Sequence, residues 1–125
     1  MQNSNYIDGF VLPIPRKHLD EYQRVATQVA EIWKEHGAIA YVESVGDDQL
    51  EGTRAFSEAA AAKEDEVVVF GWVVFPSREV RDAANKRVPT DPRMAEIVAP
   101  LVDPSNLIFD ASRMIYGGFN SIVQA

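Results

Sequence analysis

Val67-Val-Val-Phe-Gly-Trp-Val-Val-Phe75, followed by Pro76, runs without a charged or ionisable side chain. Side chains of a strand alternate between faces, which sends Val68, Phe70, Trp72 and Val74 to one side and Val67, Val69, Val73 and Phe75 to the other. A strand with one wet face reads apolar, polar, apolar. This one is apolar on both faces, so both need cover. A helix follows directly. Ser77 is a candidate N-cap, Glu79 falls in the electropositive first turn, and Val80, Ala83, Ala84 and Val88 recur at helical spacing.

The same strand, proline and helix unit stands earlier in the chain. Tyr6 to Leu12 has the aromatic and β-branched content of a strand, which Pro13 and Pro15 are expected to end. In the segment Arg16 to His36, Leu19, Tyr22, Ala26, Val29, Trp33 and His36 form an apolar stripe, and Gly37 supplies a helix stop. Ala38 to Val45 is again strand-like, with Ile39, Tyr41 and Glu43 on one face and Ala40, Val42 and Ser44 on the other. Residues 46–65 read as a long loop, with alanine propensity for a short helix between Ala55 and Lys63. Beyond the second unit, Asp91-Pro92 opens a short helix to about Val98, Pro100 to Ser105 is turn-rich, and Arg113 to Val123 is the last strand. Gly117-Gly118 within it predicts a bulge or a close backbone approach.

The order is βαββαβ, an α+β arrangement of the ferredoxin-like kind: an antiparallel sheet whose right-handed crossovers put both helices on one face. The other face is left bare. A second copy packing sheet against sheet covers it most simply, as a homodimer burying on the order of 1,600 Å² or more. The alternative cover is the 46–65 loop folded back.

Composition sets the outer limits. The 125 residues, 46% of them hydrophobic, match one domain spanning 1–125 with a single core. A net charge of -7 opposes binding to a phosphate backbone, so no nucleic-acid partner is expected. No apolar run approaches the roughly 20 residues that span a bilayer, and the opening Met1-Gln-Asn-Ser-Asn5 is polar, so neither a membrane partner nor export is expected. With no cysteine there is no disulfide framework or thiolate chemistry, which suits the cytoplasm.

Motifs that name a reaction are missing: there is no GxSxG elbow, phosphate loop, GxGxxG or paired-histidine site, so no cofactor or metal is expected. His18 and His36 end one predicted helix about 27 Å apart, too far to share a ligand. His36 is either a dipole-stabilised helix terminus or a pocket residue. Asp8 lies inside a strand on the face of Tyr6 and Phe10, where it must be solvated or paired. Arg113 and Tyr116 open the strand expected beside it, which allows an Asp8–Arg113 pair. Glu43 raises the same question. Arg78, Arg81, Asp82, Arg87 and Arg93 read as solvated helix surface, and Trp33 and Trp72 as core or dimer contacts.

The runs Tyr6-Ile-Asp-Gly-Phe10, Trp33-Lys-Glu-His-Gly-Ala38, Glu66-Val-Val-Val-Phe70 with Trp72, Pro76-Ser-Arg78 with Arg81-Asp82, Asp91-Pro-Arg-Met94, and Phe109-Asp110 with Arg113-Met-Ile-Tyr-Gly-Gly-Phe119 resemble the DUF1428 family of small bacterial proteins. The resemblance spans nearly the whole chain. It implies a dimeric α/β barrel of ferredoxin-like subunits, similar to the superfamily of antibiotic-biosynthesis monooxygenases, muconolactone isomerases and EthD-like proteins. It implies no activity and transfers no catalytic residue.

Two functions fit these residues. In the first, a pocket between sheet and helices binds a small, partly apolar molecule and performs cofactor-independent chemistry. Asp8 or His36 is then the acid or base, with Tyr6, Glu43, Trp72, Arg113 and Tyr116 as the binding groups. In the second, the dimer is a non-enzymatic binding or regulatory module and those groups are structural.

Overall fold

The computed structural model describes residues 4–125. Its frame is β1 (Tyr6–Pro15), α1 (Leu19–Glu35), β2 (Ala40–Val45), α2 (Phe56–Ala59), β3 (Glu66–Phe75), α3 (Arg78–Arg87), α4 (Pro92–Val98) and β4 (Ile115–Asn120). The strands form one antiparallel sheet in the order β2-β3-β1-β4. That is the ferredoxin-like order, as the βαββαβ pattern predicts.

The register fixes two faces. Tyr6, Asp8, Phe10, Leu12 and Ile14 of β1 lie opposite Phe75, Val73, Gly71, Val69 and Val67 of β3, and this side packs on the helices. Leu12, Ile14, Tyr22, Val25, Val69, Leu101 and Ile108 form one core cluster, and Ala38, Val73, Phe75 and Ala84 a second. Phe10 touches both, which is why Gly71 faces it: a Cβ on Gly71 would sit 2.7 Å from Phe10 Cε2. Leu101 also draws in the turn-rich segment that follows α4. Its carbonyl accepts from the Ile108 and Phe109 N–H groups at 3.0 and 2.8 Å, and Ile108 is buried.

Helix ends follow the local chemistry. Ser77 Oγ accepts from the Val80 N–H at 3.2 Å to cap α3, and Asp91 Oδ1 from the Arg93 N–H at 2.9 Å to cap α4. Gly37 has φ 109°, a left-handed conformation that ends α1 where a side chain would strain.

Several strand ends differ from the sequence expectation, among them the start of β2, at Ala40 rather than Ala38. β1 does not end at Leu12 but continues through Pro13 and Pro15. The Arg16 N–H bonds the Asp65 carbonyl at 2.9 Å, so even-numbered residues of β1 donate toward β3 and odd-numbered ones away from it. β4 pairs with β1 only as far as Val11. The N–H groups that Pro13 and Pro15 lack would therefore point past the end of β4, and no ladder bond is lost. At the other end of the chain, β4 starts at Ile115 and stops at Asn120 rather than running from Arg113 to Val123. It passes through Gly117-Gly118 in unbroken register, without a bulge.

The opposite face carries Ile7, Gly9 and Val11 of β1, Ala40, Val42 and Ser44 of β2, Val68, Phe70, Trp72 and Val74 of β3, and Ile115, Gly117 and Phe119 of β4. The charged residue that shares this face by register is Glu66, at the start of β3, and it is paired with Arg113. The 46–65 segment covers only one corner: Ala60 and Ala62 pack on Val11 and Val68, and the Phe56 ring lies 5.6 Å from that of Phe70. Phe70, Ile115 and Phe119 stay 39%, 49% and 59% exposed, so the loop alone does not bury this face.

Candidate functional site

Small residues on α1 open a gap beside β2. Ala26 and Ala30, one turn apart, face the sheet where larger side chains would fill the space. The result is a cleft of about 460 Å³ lined also by Leu19, Tyr22, Thr27, Glu31, Tyr41, Glu43, Val45 and Val69. β2 turns Tyr41 and Glu43 toward the helices, and Gly71 opposite Glu43 leaves the carboxylate uncrowded from β3. Glu43 Oε2 accepts from the Tyr41 hydroxyl at 2.7 Å, and Oε1 from the Tyr22 hydroxyl. Burial, reinforced by the Glu43 charge, pushes both phenols well above the ordinary tyrosine range. They remain donors, and they hold the carboxylate in one orientation.

A second polar cluster joins α3 to the sheet. Asp8, 3% exposed, takes Arg81 Nε at 3.0 and 3.3 Å, and Arg81 also donates to Asp82 at 3.0 Å and to the Tyr116 hydroxyl at 3.1 Å. Its guanidinium lies 5.0 Å from the centre of the Tyr6 ring. Burial opposes the Arg81 charge, but the bonds to Asp82 and Tyr116 and the charge of Asp8 outweigh it and raise the pKa. Burial likewise raises that of Tyr116. Gly118 makes room for the cluster, since a Cβ there would collide with Tyr6 Oη and lie 2.8 Å from Arg81 Nη2. This is the close approach that the glycine pair predicts.

The residues singled out from sequence therefore separate. Tyr6, Asp8 and Tyr116 meet around Arg81. The Asp8–Arg113 pair does not form, because Arg113 precedes β4 in the turn Ala111–Arg113 and bonds Glu66 at 2.7 and 2.9 Å. That bond draws the Glu66 carboxyl down to about 2. His36 follows α1 with Nε2 3.8 Å from Asp91 Oδ2. Asp91 in turn binds Arg93, whose side-chain and backbone donors hold the Asp91 carboxyl well below the usual range. Trp72 lies on the bare face against Phe70, across the sheet from Glu43. Glu43 alone of the candidates lines the cleft. Arg81, which reads as solvated surface, is 14% exposed and holds the second cluster together.

Sequence reasoning missed Tyr22, Tyr41 and Arg81. The signal for the first two was present: a tyrosine in an apolar helical stripe has a hydroxyl to satisfy, and Glu43 on the strand facing that helix supplies the acceptor. Arg81 carried a weaker signal: its i±3 and i±4 neighbours on α3, Ser77, Arg78, Ala84 and Asn85, offer no carboxylate, which leaves it free to pair beyond its own helix. A further cavity of about 650 Å³ lies between the 46–57 loop and the edge of β2 and β3, next to Phe56 and Phe70. Among the described residues no group of three or more His, Asp or Glu is placed to hold a metal ion, and no helix is long and apolar enough to cross a membrane.

Residues 5–110 match the family described as "Protein of unknown function (DUF1428)". The chain belongs to this family. It is 44% identical to the uncharacterised protein YbaA of Escherichia coli K12 over 119 residues, covering 94% of this chain and 97% of the relative. Among solved structures it is similar to a nipsnap family protein of unknown function from Agrobacterium tumefaciens (TM-score 0.59, 16% identity, 97% of this chain and 91% of the other). It is also similar to a mutant form of SnoaB, a cofactor-independent oxygenase from Streptomyces nogalater (TM-score 0.54, 12% identity, 98% and 97%). A conserved protein of unknown function and possible oxidoreductase from Bacteroides thetaiotaomicron aligns at TM-score 0.56 and 16% identity, over 96% of this chain and all of the other. These likenesses establish that the DUF1428 chain has a ferredoxin-like fold of the dimeric α/β-barrel class.

Proposed function

We propose that this DUF1428 protein binds a small, partly apolar molecule in the α1–β2 cleft, and that Glu43 accepts a hydrogen bond or a proton from it. The cleft itself carries this reading: about 460 Å³ is within the range of small-molecule sites, and its partly apolar walls hold two carboxylates, of which Glu43 is the one oriented by hydrogen bonds. A carboxylate has about four acceptor positions, of which Tyr22 and Tyr41 take two. An acceptor pre-oriented in this way supports cofactor-independent proton abstraction from an acidic O–H or C–H. The cofactor-independent activity of SnoaB is a precedent for such chemistry on this fold.

The test is a thermal-shift screen of a metabolite library, because a ligand that binds only the folded state raises the unfolding temperature. Hits should lose about tenfold in affinity in Glu43→Gln, the loss of one charge-assisted hydrogen bond, and disappear in Ala30→Trp, which fills the cleft. Hits that survive both changes would place the ligand elsewhere.

The proposed assembly is a homodimer with the two bare sheet faces packed together. Its support is the largely apolar character of that face, where the Glu66 carboxylate is already matched by Arg113, so that the face is complementary to a second copy of itself. Light scattering at micromolar concentration should report about twice 13.9 kDa. A monomer there would sink the assembly but leave the cleft untouched. The non-enzymatic reading draws support from the Asp8–Arg81–Tyr116 cluster, whose polar atoms all find partners. Turnover of a screened ligand would exclude it.

A further inference from the structure

We infer that the ligand of the α1–β2 cleft is an organic cation, a protonated amine on a partly apolar body. The inference rests on the reading of that cleft as a ligand site and adds the charge of what enters it. Glu31 and Glu43 are the charged residues of the lining, and no lysine, arginine or histidine joins them. Three other recessed carboxylates of this chain are matched with arginine: Asp8 with Arg81 at 3.0 Å, Glu66 with Arg113 at 2.7 Å and Asp91 with Arg93 at 2.8 Å. Glu43 has no such counter-charge. It is half-buried, and its partners are two neutral phenols.

A half-buried carboxylate without a counter-charge is under-compensated, because phenols satisfy hydrogen bonds but supply no opposite charge. An ammonium group supplies that charge and fills the acceptor positions the phenols leave free. Ala26, Ala30 and Val69 offer the apolar wall for the rest of the molecule. A carboxylate or phosphate ligand meets the reverse situation, with two acidic side chains in the lining and a net charge of -7 behind them.

Three probes of matched shape separate charge from shape: phenethylamine, phenethyl alcohol and hydrocinnamate, measured by calorimetry at neutral pH in low and high salt. The amine should bind about tenfold tighter than the alcohol, the gain of a charge-assisted over a neutral hydrogen bond. Hydrocinnamate should bind weakest, and the advantage of the amine should shrink with salt. In Glu43→Gln, shown by circular dichroism to be folded, amine and alcohol should bind alike. An alcohol or carboxylate that matches the amine in the wild-type protein overturns the cation, while blockage by Ala30→Trp still upholds the cleft. If none of the three binds, the cleft reading falls with it.

Discussion

At the scale of residues, the polar clusters differ in what they do for the fold. The side chains of Asp8 and Arg81 are 5% and 14% exposed, and removing one member of a recessed pair strands the other charge. Asp8→Ala is expected to lower stability by about 3 kcal/mol in urea unfolding. The double change Asp8→Leu with Arg81→Met should lower it by much less than the two single changes added. A strictly additive result would mean the two side chains act independently.

Glu66 gives a pH dependence with a defined sign. Its folded pKa is lowered from 4.5 to about 2, first by the Arg113 hydrogen bond, so its contribution is complete above the unfolded value and is lost as pH falls toward 2. Urea midpoints measured downward from pH 5 should therefore fall, and the fall should be shallower in Arg113→Met. Tyr22 and Tyr41 have the opposite sign. Their raised pKa values stabilise the folded state below about pH 10, and that stability is lost above it. In an ultraviolet titration both should ionise only as the protein unfolds.

At the scale of elements, β4 docks through a contact that tolerates no side chain. Gly118→Ala forces Tyr6 or Arg81 to move, and overpacking of this kind costs about 1–3 kcal/mol. The loss should appear as a lower urea midpoint together with weakened amide protection of β4. The existence of these elements, the Ser77 and Asp91 caps and the faces of β3 were legible in the sequence, because each follows from local chemistry: periodicity, a capping oxygen, alternation. Strand ends were not. Pro13 reads as a stop until β4 is known to end beside Val11, and Arg113 reads as strand until Glu66 holds it in a turn. The site divided along the same line. Glu43 and Tyr41 share a face visible in their spacing, whereas the reach of Arg81 to Asp8 across 73 positions depends on how α3 crosses the sheet.

At the scale of the whole molecule, the proposed dimer brings together two chains of charge -7 through mostly apolar faces, on which Glu66 is already paired with Arg113 of its own chain. Added salt therefore has no interfacial ion pair to weaken and only screens repulsion between the copies. Sedimentation equilibrium should show association unchanged or strengthened by salt. Charges placed on the bare face, Ile115→Glu with Phe119→Glu, should give folded monomers, since both side chains are at least 49% exposed in the single chain.

The two prolines of β1 bear on the company this chain keeps in a crowded solution. Past Val11 no strand lies beside β1; Pro13 is buried there and Pro15 half-buried, and a margin with free N–H groups is a template on which strands of other chains grow into fibrils. Both residues whose donors would point outward there are prolines, so a stray strand finds carbonyls but no hydrogens to share. Replacing the half-buried Pro15 with threonine should leave the native ladder intact and yet give that border a donor on which aggregation can start.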